Sequence, residues 1–176
     1  VPGQSSMVLP PGRARLVPAG SKFIFQMHYT PSGEEKTDLT ELGLVFADPA
    51  EVTEEVVSLV SANPKFEIPP GESDYRVETT QGWFPPGGKM IGLAPHMHYR
   101  GKSFRMTGVW PDGDERVLLD VPRYDFNWQT NYRFVEPIEL PAGFRVDCEA
   151  VFDNSAENLS NPDPSIPVRW GDQSFE

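Results

Sequence analysis

Apolar residues recur at every second position in short runs along this chain, and proline or glycine interrupts the runs. A period of two is the mark of a β-strand with one buried face, whereas an amphipathic helix repeats every 3.6 residues. The pattern predicts strands at Lys22–Tyr29, Leu42–Ala47, Tyr75–Gly82, Lys89–His98, Ser103–Trp110, Arg116–Val121, Trp128–Phe134 and Phe144–Asp153. Nineteen prolines and fifteen glycines favour many short strands over long helices. "PDGD", Pro111 to Asp114, reads as a hairpin turn. The stretch 50–59, "AEVTEEVVSL", reads as a weak helix or, given its valines, a strand. The expected fold is all-β: an antiparallel, jelly-roll-like β-sandwich with a partial second β domain at the N-terminus.

A boundary is expected near Asp48–Pro64, where alternating strands give way to the acidic connector "DPAEVTEEVV". After about Asn154 the chain turns polar and turn-rich. Its carboxylates and amides have the composition of a calcium loop, but their spacing is not that of an EF-hand, which favours a plain loop.

Charge narrows the partners. Fifteen Lys and Arg against 26 Asp and Glu leave a net charge of −11. That argues against nucleic acid and against anionic membrane surfaces, both of which call for basic patches. No apolar run approaches the roughly 20 residues of a membrane span. With 38% hydrophobic and 11% aromatic residues the chain has enough apolar side chains for a packed core. Cys148 is its one cysteine, so no disulfide closes within it. The opening "VPGQSSMVLPPG" has neither an initiator Met nor a signal peptide, and reads like the interior of something longer.

Only three histidines occur, and two are His96 and His98 in "GLAPHMHYRGKSF". On a strand, Gly92, Ala94, His96 and His98 share one face, while Ile91, Leu93, Pro95, Met97 and Tyr99 share the other. The histidine face is otherwise small, which leaves room for two imidazoles to converge on one ion. They can equally be exposed, or hydrogen-bonded within the sandwich. Met97 faces away from the pair and is expected in the core. His28, in "KFIFQMHYTPSG", stands opposite another bulky apolar face. One reading joins His28 to His96 and His98 as a single His₃ zinc or copper centre; another gives His28 a separate centre with ligands outside this chain. Periodicity does not choose.

Several motifs, taken in order, resemble the copper type II, ascorbate-dependent monooxygenases, the family of the peptidylglycine α-hydroxylating and dopamine β-monooxygenases. They are "GSKFIFQMHYTPSG", "IPPGESDYRVETT", "APHMHYRGKSF" and "LPAGFRVDCEAVFDNS". The stretches "QMHY", "PHMH" and "DNSA…NPDPS…VRWGDQ" resemble bacterial-type members most. The resemblance implies that residues 1–48 are the C-terminal part of an electron-transfer copper domain, and 49–176 a catalytic copper domain truncated before its methionine ligand. It implies the two-site reading: His28 in the electron-transfer centre, His96 and His98 in the catalytic one. It further implies copper as cofactor, O2 and a small-molecule substrate, ascorbate or another one-electron donor, the remainder of the parent protein or a redox partner domain as partner, and a periplasmic or extracellular location.

Each imidazole bound to a metal needs an orienting partner on its other nitrogen, and Asp125, Asn127 and Gln129 are the expected candidates. Where the peptide-amidating enzymes hold a substrate carboxylate with arginine, this chain has the uncharged "GLAP", so a peptide C-terminus is not implied. Arg100 and Lys102 are the alternative cations, as carboxylate grips or as solvated loop charges. The aromatics of "YDFNWQTNYRF", Tyr124 to Phe134, line a pocket or pack into the sandwich. Cys148 is expected to be a free buried thiol. Two other readings stay open: a non-catalytic copper-binding or electron-transfer module of a larger redox protein, and a structural β-sandwich whose histidines bind nothing.

Overall fold

The computed structural model describes residues 2–4, 6–29 and 31–176. Val1 and Ser5 of the opening stretch, and Thr30 of "GSKFIFQMHYTPSG", lie outside the described residues. The described strands are β1 (Arg13–Ala14), β2 (Glu54–Glu55), β3 (Glu67–Ile68), β4 (Tyr75–Gln81), β5 (Lys89–Leu93), β6 (Gly101–Val109), β7 (Glu115–Val121), β8 (Tyr132–Glu139), β9 (Arg145–Phe152) and β10 (Val168–Arg169). A single 3₁₀ turn, Pro49–Glu51, is the helical element among them.

The fold is all-β and sandwich-like. β4, β9, β6 and β7 form an antiparallel four-stranded sheet in that order. β5 pairs antiparallel with β8, and β3 with β10. Met90, Leu93, Phe134 and Ile138 of the β5–β8 pair meet Phe104, Met106, Val146 and Cys148 of the larger sheet, and Phe144 fills the centre. Alternation explains β9: Val146, Cys148 and Ala150 are buried, while the residues between them are not. The β6–β7 hairpin is closed by the predicted "PDGD" turn, in which Trp110 N–H donates to Asp114 O at 2.8 Å and Gly113 takes a φ of +88°. Cys148 is a free, buried thiol, and burial, with Asp147 adding, pushes its pKa up to about 11. It stays protonated and inert at neutral pH.

Two compact units divide the chain: Met7–Leu59, and Val60–Glu176 with the first residues. In the smaller unit the expectation of strands at Lys22–Tyr29 and Leu42–Ala47 is not met. Phe23, Ile24, Phe25, Val45 and Phe46 are exposed there. A strand exists only when a neighbour takes up its N–H and C=O groups, and these segments have no such neighbour among the described residues. What pairs in this unit is β1 with β2, two residues each and parallel. Residues 50–59 form no α-helix; the Pro49–Glu51 turn, capped by Asp48 Oδ1 on Ala50 N–H at 2.9 Å, gives way to β2.

Two further boundaries bear on the histidines. β8 begins at Tyr132 and not at Trp128, because Asp125–Trp128 closes into a turn, with Trp128 N–H on Asp125 O at 2.9 Å. β5 therefore ends at Leu93, paired with Tyr132, well before His98. Pro95 has no N–H to donate to a ladder in any case. At the end of β5 the backbones are unusually close: a Cβ on Gly92 would meet Tyr132 O at 2.6 Å. Gly92→Ala is expected to force β5 from β8 and cost about 1–3 kcal/mol, as overpacking does. Urea unfolding of the variant measures it.

Candidate metal centre

His96 and His98 lie in the bridge from β5 to β6, outside any strand. The expected β-strand is absent at this point, yet its side-chain alternation persists. Pro95 and Met97 are buried, Ala94 and His96 exposed, and His98 half-buried. The segment is extended without a partner strand because Tyr124 supplies one rung of a ladder. Met97 N–H donates to the Tyr124 hydroxyl, which donates to Met97 O, both at 2.8 Å. Burial pushes the Tyr124 pKa up to about 12, Asp125 adding and the Met97 bond opposing, so the hydroxyl keeps its proton. Met97 itself, 3% exposed, packs inward as expected.

The two imidazoles stand side by side, centroids 5.1 Å apart and planes at 87°. Each has an acceptor at Nδ1. Gln129 Oε1 lies 2.5 Å from His96 Nδ1, and Glu176 O lies 3.0 Å from His98 Nδ1. Because an amide oxygen and a carbonyl can only accept, both Nδ1 atoms must carry the proton. Among the described residues neither Nε2 has a hydrogen-bond partner, which leaves both lone pairs for a ligand. Gln129 is 1% exposed, and its amide is oriented by donating from Nε2 to Phe126 O at 2.7 Å. Of the three expected orienting residues, Gln129 is the one in place.

Though the residue is exposed overall, partial desolvation of the ring by its neighbours pushes the His96 pKa below the ordinary 6.5; the His98 ring lowers it further, and the Gln129 bond opposes both. His96 is thus neutral at pH 7. The sign for stability follows. Below 6.5 the unfolded chain takes up the proton more readily than the folded one, so stability falls as pH drops below about 6.5. Thermal unfolding at pH 7.5 and 5.5 is expected to show this loss, and His96→Asn to reduce it.

The neighbouring cations are committed. Lys102 pairs with Asp74 at 2.8 Å, and Arg100, 2% exposed, is bonded to protein oxygens. Neither is a free carboxylate grip, nor is Arg100 a solvated loop charge. The polar loop after Asn154 closes on itself: side-chain oxygens of Asp153, Asn158, Asn161 and Asp163 each accept the N–H two residues on. The aromatic stretch divides, with Phe134 in the core, Trp128 exposed, and Tyr124 and Phe126 lining an open hollow of about 730 Å³ with Tyr99.

No family model matches the chain, and comparison with curated proteins finds no match either. Among the described residues, no three His, Cys, Asp or Glu side chains gather as a metal site. The candidate centre is thus a pair of imidazoles. His28 belongs to the Met7–Leu59 unit and is exposed there. Among the described residues no helix is long and apolar enough to cross a membrane. What sequence reasoning missed are Tyr124 as a rung and the Glu176 carbonyl as an orienting acceptor. The second is a backbone group, which no residue pattern marks.

Proposed function

We propose that this chain is the catalytic part of a copper-dependent monooxygenase that hydroxylates a C–H bond with O2 and a one-electron reductant such as ascorbate. The observation that carries the reading is the pair of free Nε2 atoms, each set by an acceptor at the opposite ring nitrogen. Copper bound there supplies one-electron transfer and the activation of O2. The chain's own part is positional. Gln129 and the Glu176 carbonyl select the tautomers, and Tyr124 holds the backbone between the rings. The resemblance puts a methionine thioether after a segment like "WGDQSFE", and here the end of that segment lies against His98. Such a thioether beside the two imidazoles would favour copper in its Cu(I) form. His28 is assigned to a separate electron-transfer centre whose other ligands come from the parent protein. A periplasmic or extracellular location belongs to the same reading.

The test loads the chain with one equivalent of copper and supplies ascorbate and O2. Ascorbate-driven O2 consumption is expected, and its absence in a His96→Ala, His98→Ala double variant at equal copper. Reduction by ascorbate without O2 consumption supports the electron-transfer module instead, and no copper uptake removes both. Gln129→Leu is expected to weaken copper binding by about 10–100-fold, the usual cost of losing a ligand's orienting partner. A competition titration with a Cu(I) chelator measures it.

A further inference from the structure

Three consecutive carbonyls at the end of the described chain are each held by a donor from His98–Arg100. Ser174 O accepts from Tyr99 N–H at 3.2 Å, Phe175 O from Arg100 Nη1, and Glu176 O from His98 Nδ1 at 3.0 Å. The segment Gly171–Glu176 is thereby strapped to the residues that carry the candidate metal pair. Its own turn is closed by Glu176, whose N–H donates to Gln173 O at 2.8 Å and whose carboxylate accepts from Gln173 N–H at 2.9 Å.

Arg100 is the unusual member. It is 2% exposed and no carboxylate pairs with it among the described residues. Its guanidinium instead reaches three neutral oxygens on separate parts of the chain. Nε donates to Asn154 Oδ1 at 2.7 Å, Nη1 to Phe175 O, and Nη2 to Asp163 O at 3.3 Å. Asn154, fully buried, is saturated in turn: its Oδ1 also accepts from Asn161 at 3.0 Å, and its Nδ2 donates to Pro69 O and Ile166 O, each at 2.9 Å. Asp163 is near enough to favour the charged form, though burial outweighs it. Burying a charge without a direct ion pair is costly, and an apolar residue of similar volume avoids that cost. What arginine adds here is its rigid fork of donors, which fixes several acceptors in one geometry.

We infer that Arg100 is a positioning residue for the metal pair: it sets the register of the Gly171–Glu176 strap, and the strap's last carbonyl holds His98 in the tautomer that leaves Nε2 free. Arg100 acts through Phe175 and Glu176, without touching the metal. The inference rests on the copper reading only for what Nε2 binds; the tautomer belongs to the metal-free chain. It also separates the two histidines. His96 is held by Gln129, which is no part of the strap, so its tautomer is independent of Arg100 and serves as an internal control.

The experiment is imidazole ¹H–¹⁵N correlation on the labelled, metal-free full chain at a pH where both rings are neutral. The wild-type chain is expected to show Nδ1–H for both rings. In Arg100→Met, His98 is expected to lose the single Nδ1–H pattern while His96 keeps it, and copper affinity to fall by about 10–100-fold. Arg100→Lys, which retains charge without the fork, is expected to resemble Arg100→Met. If Arg100→Met does not fold, Glu176→Ala takes its place. That exposed change opens the strap's turn, and His98 is again expected to shift alone. An Nε2–H tautomer for His98 in the wild-type chain overturns the inference, as does a folded Arg100→Met, or in its place a folded Glu176→Ala, with His98 unchanged. Failure of the wild-type chain to bind copper, with these tautomers observed, sinks the copper reading and leaves the strap's role standing.

Discussion

Copper affinity is expected to collapse when either His96 or His98 becomes alanine. The loss exceeds the ~10–100-fold cost of removing an orienting partner, because a donor atom itself is gone. In the copper reading the two rings act as a chelate: their centroids are 5.1 Å apart, and each Nδ1 is already committed. Once one ring is removed, the other is a lone imidazole with no second His, Cys, Asp or Glu donor gathered beside it among the described residues. The double variant is therefore expected to bind hardly worse than either single one. Such non-additivity is the mark of residues working as a unit. His28→Ala is expected to leave this affinity unchanged, since His28 belongs to a different site in this reading. Equilibrium dialysis against a competing chelator makes all four comparisons. Additive, modest losses from the single variants contradict a shared ion.

The largest effect on stability is expected from Phe144→Ala. The ring is 1% exposed at the centre of the sandwich, 4.9 Å from Trp110 and 5.6 Å from Phe84 between centroids. Met90, Met106, Val146 and Cys148 complete its cage. Removing a buried phenyl loses its transfer free energy and leaves a cavity that strands from two sheets cannot collapse into, about 3–5 kcal/mol. Against a total of about 5–15 kcal/mol for a domain, that is a large share. Because Met90 lies on β5, the strand leading to the histidines, the variant also tests whether the core seats the site. Urea unfolding followed by tryptophan fluorescence gives the value, and a loss under about 1 kcal/mol contradicts the assigned core.

Period-two patterning located β4, β6, β7 and β9 nearly residue for residue, because each has a ladder partner and one buried face. It failed where alternation lacked a partner. Lys22–Tyr29 alternates as well as β9 does, yet pairs with nothing among the described residues. Lys89–His98 was legible as an extended run but not as a strand only as far as Leu93, since that limit depends on where β8 begins. The histidine face was legible because alternation is a backbone property that survives the loss of the ladder. The acceptors behind the rings were only half legible. Gln129 was one of three nearby polar residues, whereas Glu176 acts through a carbonyl 78 positions away. Arg100 is a charge that sequence reading places at the surface and the fold buries.

Two imidazoles of one chain presenting Nε2 to one copper is the claim on which the rest stands, and electron spin-echo modulation of the Cu(II)-loaded chain tests it most directly. The remote ring nitrogen of each coordinated imidazole modulates the echo, so the spectrum counts rings. The account predicts two rings in the wild-type chain and fewer than two after His96→Ala or His98→Ala. A spectrum showing no imidazole, or one that is the same in the wild-type chain and both variants, contradicts it.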